Sequence, residues 1–101
     1  MHQEYHFMAD CTLPNELTEE FFELLPYQDN VVNKYLAKGK LINYAFSVDS
    51  GKLWAVFSAS SAVEVFEMLR EFPLTPFMEV EVNLLSSYST LSVGAPHFSL
   101  N

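Results

Sequence analysis

Two short alternating stretches of this chain carry the side chains best suited to acid–base chemistry. His6 and Asp10 lie four apart near the N-terminus, and Glu79 and Glu81 lie two apart near residue 80. Even spacing puts side chains on one face of a strand. If the two strands are neighbours, one imidazole and three carboxylates share a sheet surface. A carboxylate crowded into an apolar cleft is held nearer its protonated form and can serve as a general base. Taking a proton beside a carbonyl and returning it elsewhere asks for nothing more. On this reading His6 and Glu79 transfer the proton, while Asp10, Tyr44, Phe46, Phe57, Phe77 and Glu81 line the binding surface. The plainer reading has the acids bonded to backbone or lysines at a subunit interface and His6 structural. Glu79 and Glu81 also suit the protection of an exposed edge strand. Carboxylates and an imidazole could hold a divalent metal, but neither a helical His-x-x-x-His nor compact ligand spacing supports one. The expectation is therefore no metal and no cofactor.

The elements that must position these residues follow from periodicity. Gln3 to Cys11 alternate, with Tyr5, Phe7, Ala9 and Cys11 on one face and His6, Met8 and Asp10 on the other. Asn15 is the expected N-cap of a helical pattern that runs from Leu17 to Gly39, with a kink or break at Pro26. Leu41–Val48 and Lys52–Ala59 read as strands joined at Asp49-Ser-Gly-Lys52. A two-residue Ser50-Gly51 turn would pair Asp49 with Lys52, Val48 with Leu53, Phe46 with Ala55 and Tyr44 with Phe57. Ser60 or Ser61 caps a second helix with the stripe Val65, Phe66, Met68, Leu69 and Phe72. Pro73 and Pro76 set a rigid corner. A fourth strand, Phe77 to Leu85, points Met78, Val80, Val82 and Leu84 inward and Phe77, Glu79, Glu81 and Asn83 outward. Cys11 reads as a packed thiol, Trp54 as a core residue and Lys40 as a cation at a helix end.

The order βαββαβ, with right-handed crossovers, predicts an α+β ferredoxin-like fold: a four-stranded antiparallel sheet in the order 4-1-3-2, with both helices on one face. Residues 1–85 form this domain. Residues 86–101 contain Leu91, Val93, Phe98 and Leu100 and read as an arm packed on a neighbouring subunit.

Thirteen acids against five bases give a net charge of −8 over 101 residues. Such a field repels phosphate backbones and anionic lipid, so neither nucleic acid nor a membrane is an expected partner. No apolar run approaches the length of a bilayer span, and Met-His-Gln-Glu lacks a signal pattern. With one cysteine there is no intrachain disulfide. A cytoplasmic location is expected.

Three stretches resemble the muconolactone isomerase family. Tyr5-His-Phe-Met-Ala-Asp-Cys-Thr-Leu-Pro14 is similar to its opening strand, Gly39-Lys40 to the end of its first helix, and Phe72-Pro-Leu-Thr-Pro-Phe-Met-Glu-Val-Glu-Val82 to its second-helix corner and last strand. The resemblance implies a dimeric α+β barrel that assembles into larger rings. It also implies arginines on the open sheet face where this chain has Met8 and Phe46. Loss of cations that would pair with the lactone's carboxylate implies a different substrate. The leading expectation is a homo-oligomer, a dimer or larger ring, that binds a small organic molecule between sheets. As an enzyme it would be a cofactor-independent isomerase. The alternatives are a noncatalytic oligomeric ligand-binding or scaffold protein, and a cofactor-free monooxygenase on the same barrel.

Overall fold

The structure, a computed structural model, describes residues 3–90. Its elements run β1 (Tyr5–Thr12), α1 (Glu19–Glu23), α2 (Leu25–Ala37), β2 (Leu41–Ser47), β3 (Lys52–Ala59), α3 (Ala62–Leu69), a 3-10 turn (Thr75–Phe77) and β4 (Glu79–Leu84). All pairings are antiparallel and the sheet order is β2-β3-β1-β4, which is the expected order 4-1-3-2 viewed from the other edge. The fold is α+β ferredoxin-like.

Local chemistry explains each boundary. The helical pattern does break before Pro26: α1 closes at Leu24, and the proline occupies the first turn of α2, where its missing N–H costs nothing. The first cap is Thr18 rather than Asn15; its hydroxyl accepts from Phe21 N–H at 3.3 Å. Three residues between Asn15 and the first helical turn leave Asn15 outside the cap. Gly39 ends α2 at φ +73°, and Lys40 N–H reaches back to the Tyr35 carbonyl while Gly39 N–H reaches Leu36, each at 3.1 Å. This paired closure requires a left-handed residue, which glycine adopts without Cβ strain. Ser61 caps α3 and accepts from Glu64 N–H, and the Glu64 carboxylate accepts from Ser60 N–H at 2.8 Å, a capping box displaced by one residue at its return bond.

The β2–β3 hairpin departs from expectation. Ser47, not Asp49, pairs with Lys52, so Phe46 opposes Leu53 and Tyr44 opposes Ala55. The loop has four residues because Gly51 N–H bonds Val48 C=O around a turn and Gly51 takes φ +66°. A shift of two positions preserves the faces. An irregularity between Leu41 and Asn43 then returns Leu41 to the core opposite Phe57.

Phe7, Ala9, Cys11, Leu53, Ala55 and Phe57 form the buried face of the sheet, packed with Val32 and Tyr35 of α2 and Val65, Met68 and Leu69 of α3. Phe66 of the expected stripe stays exposed. A second cluster of Leu13, Phe21 and Leu74 gathers Phe46, Phe77 and Met78. Cys11 is a packed thiol, pushed up to about 11 by burial and then by the neighbouring Asp10 charge. Trp54, by contrast, lies on the helix-free face, opposite Asp10.

Gln28 is the one buried polar side chain among the described residues. Its carbonyl accepts from Leu74 N–H at 3.1 Å, and its amide donates to the Tyr44 hydroxyl at 3.3 Å. Helix α2 is thereby tied to both the proline corner and β2. Gln28→Leu should cost about 1–3 kcal/mol, because it buries an N–H without a partner. Urea denaturation measures this, and a loss under about 0.5 kcal/mol would show the tie to be dispensable.

Lys40 binds Glu4 at 2.6 Å and Glu64 at 3.0 Å, joining the chain before β1 to α3. The Glu64 carboxyl is held below its usual value of 4.5, first by Ser60 N–H and then by Lys40. A depressed folded value stabilises the protein above the unfolded pKa, and the benefit is lost as pH falls through the folded one. Glu64→Gln should therefore lower stability at pH 7 by about 0.5–1 kcal/mol and have no effect near pH 2. A deficit that persists unchanged in acid would rule out the ionic contribution.

Candidate functional site on the open sheet face

The helix-free face can be read as a grid, because each strand contributes every second residue. One row runs Ser47–Lys52–Thr12–Glu79 across β2, β3, β1 and β4. The next is Ala45–Trp54–Asp10–Glu81, followed by Asn43–Val56–Met8–Asn83 and then by Ser58 beside His6. The expected coincidence of Asp10, Glu79 and Glu81 on this face is present, with Asp10 directly across from Glu81.

His6 and Glu79 do not come together. Six residues of β1 separate His6 from Thr12, the partner of Glu79, which is about 20 Å at 3.3 Å per residue. Within one subunit they cannot act on the same small molecule. Tyr44, Phe46 and Phe57 are also not on this face. Tyr44 bonds Gln28, Phe46 lies 6.5 Å from Phe21 and Phe57 lies 6.0 Å from Phe72, all on the helix side. Phe77 belongs to the 3-10 turn rather than to β4 and meets Phe21 edge-on at 6.1 Å. The hairpin residues share a face as expected. That face is the one β1 lines with Phe7, Ala9 and Cys11, so it is the core. Met8 stands on the open face, but Phe46 does not, so only Met8 occupies an open-face position where the family resemblance implied an arginine. The aromatic groups expected to line the binding surface are consequently absent from this face; Met8, Ala45, Trp54 and Val56 are the apolar part of the grid.

Lys52, expected from the sequence only as the first residue of β3 with no part in the site, is the only lysine or arginine in these rows. Its ammonium lies 2.6 Å from Asp10 Oδ1 and donates to the Thr12 hydroxyl at 3.1 Å. The Asp10 oxygen is shielded from solvent, and the lysine meets it outside hydrogen-bond geometry, so the contact is an ion pair. The signal available in the sequence was parity: Lys52 is an even number of residues from Trp54 and Val56. Glu79 and Glu81 are exposed and make no ion pair or side-chain hydrogen bond among the described residues. A shallow depression of about 370 Å³ is lined by Asp10, Thr12, Lys52, Glu79, Val80 and Glu81. A somewhat larger one, about 420 Å³, lies at the start of α3 around Glu4 and Glu64 and contains nothing from the grid. Of these two, the open-face depression is the one with two uncommitted acids beside a lysine.

At the other end, the His6 ring packs against Tyr88 with centroids 5.2 Å apart. Among the described residues no three His, Cys, Asp or Glu side chains gather around a point that could hold a metal. No helix among them is long and apolar enough to cross a membrane.

A search of the curated proteins finds no match to the chain. The family described as muconolactone delta-isomerase matches residues 3–90, which is the whole sheet, its helices and the Tyr88 segment. By that match the chain belongs to the muconolactone delta-isomerase family.

Proposed function

We propose that the protein is a cofactor-free isomerase that moves a proton on a small unsaturated carbonyl compound, bound at the Lys52 end of the open sheet face. The observation that carries this reading is the depression in which two uncommitted carboxylates, Glu79 and Glu81, stand beside the Lys52–Asp10 pair. One carboxylate removes the proton and, as the carboxylic acid, returns it to another carbon of the same compound, while the nearby ammonium stabilises the negative charge carried by the carbonyl oxygen between the two steps. Asp10 and Thr12 hold Lys52 in place. Lys52 also supplies a cation for an anionic substrate group, the role that Met8 cannot fill. Trp54 offers a flat apolar neighbour for the carbon skeleton. In this reading Glu79 keeps its proton-transfer role, joined by Glu81, and His6 loses its own to distance.

A second copy laid over the open face would remove water from the site and enclose the substrate, so a homo-oligomer is part of the proposal. The exposed setting of Glu79 and Glu81 favours one other reading, a noncatalytic binding or scaffold protein in which these acids guard the edge strand β4.

The test is an absorbance assay with muconolactone and related unsaturated lactones. Glu79→Gln or Glu81→Gln should reduce turnover about a hundredfold or more, the range that general acid–base groups supply, while His6→Ala changes it less than about tenfold. Full activity in a folded Glu79→Gln/Glu81→Gln double variant would remove both acids from the mechanism. Turnover of none of these lactones by the unaltered protein would leave the noncatalytic reading.

A further inference from the structure

The chain does not leave the sheet after β4. Leu85 donates its N–H to the His6 carbonyl at 2.9 Å, extending the ladder by one residue. Three residues later Tyr88 lies over the open face. Its ring sits against His6 at 5.2 Å with a 43° tilt, and its hydroxyl accepts from Asn43 Nδ2 at 3.2 Å. His6 is on β1 and Asn43 on β2, and β3 lies between them. A single side chain touching both must therefore cross β3, at the level of Val56 and Ser58. Val56 is only 2 % exposed, although it faces away from the helices. A valine in the middle of an uncovered sheet would remain in contact with water.

We propose that residues 86–90 form a strap that closes the His6 end of the open face, with Tyr88 as its clasp. Ligand is thereby confined to the Lys52–Glu79 end. The inference rests on reading the open face as the ligand surface. The Tyr88 side chain then forms the inner wall of the site, and the length of a ligand is limited to the rows of the grid beyond it. Those rows lie about 7 Å apart, two residues of strand each, which suits a single small ring with short substituents. The strap also explains why His6, the residue most suggestive of chemistry in the sequence, has a ring packed over it rather than a cavity beside it.

Thiol accessibility tests the strap without any ligand. Val56→Cys and Ala45→Cys each put one new thiol on the open face, the first under the crossing and the second beside Trp54, with Cys11 buried in both. With a maleimide probe, Val56→Cys should react at least about tenfold more slowly than Ala45→Cys, because it needs the strap to open. Adding Tyr88→Ala to Val56→Cys should bring its rate to within about threefold of Ala45→Cys, whereas Tyr88→Phe, which keeps the ring on His6, should recover less. Equal rates for the two thiols in the otherwise unaltered chain would overturn the proposal, even if the Tyr88→Ala variant failed to fold. Lack of lactone turnover would remove the ligand reading and leave these rates unaffected, so the two failures are distinguishable.

Discussion

The antiparallel register of β1 against β3 and β4 is the constraint on which everything else in this protein depends. Phe7 opposite Phe57 and Leu84, Ala9 opposite Ala55 and Val82, and Cys11 opposite Leu53 and Val80 commit one side of three strands to the helices. Because strand side chains alternate, the same pairing places Asp10, Thr12, Lys52, Glu79 and Glu81 together on the other side. A slip of one residue in β1 would turn Asp10 and Thr12 toward the helices and Phe7, Ala9 and Cys11 to the open face. The candidate site is thus specified by packing on the face it does not occupy. Small residues at Ala9, Ala55 and Ala59, none more than 2 % exposed, let the helical layer approach the sheet closely.

The helical layer is held in its turn by polar contacts between elements distant in sequence. Gln28 joins α2 to the backbone of Leu74 and to the Tyr44 hydroxyl. Glu71 receives both the Tyr35 hydroxyl and the Lys34 ammonium, tying α2 to the end of α3. Lys40 does the same at the opposite end through Glu4 and Glu64. The loop between α3 and β4 therefore has little freedom. Successive i to i+3 bonds from Phe72 to Met78, and the Thr75 hydroxyl on the Leu69 carbonyl at 2.6 Å, occupy its backbone groups. Two prolines in such a segment cost few hydrogen bonds and restrict its conformations.

Most of the fold was legible because its signals are local. Alternation marked all four strands, the Ser60–Ser61 pair marked the start of α3, Gly39 marked the end of α2, and Pro26 marked the break before it. The family was legible in the Phe72–Val82 stretch. The site was legible only in part, and the reason is parity between strands that are not consecutive. The hairpin has large apolar groups on both faces, Tyr44, Phe46 and Phe57 on one and Trp54 and Val56 on the other. Hydropathy alone could not say which face meets the helices, and the deciding contacts are between β3 and β1, over 40 residues apart in sequence. The same ambiguity hid Lys52 and moved Trp54 into an expected core. The separation of His6 from Glu79 was lost for a related reason: sharing a face says nothing about distance along it. The expected pairing of Leu91 and Val93 on a neighbouring subunit falls on residues outside those described.

The burial of Cys11 makes this chain its own recorder of unfolding. The thiol sits on the central strand, hydrogen-bonded on both sides, with no exposed surface and a proton held to about pH 11. Only the thiolate reacts, and at neutral pH about one molecule in ten thousand carries it even before access is considered. An electrophile reaches the sulfur only when β1 separates from the helices or from both neighbouring strands, which amounts to losing the fold. Ordinary breathing of the edges leaves no mark. In an oxidising medium the Cys11 thiol of the native protein is therefore silent, and a cross-link or adduct there dates from a moment when that molecule was open.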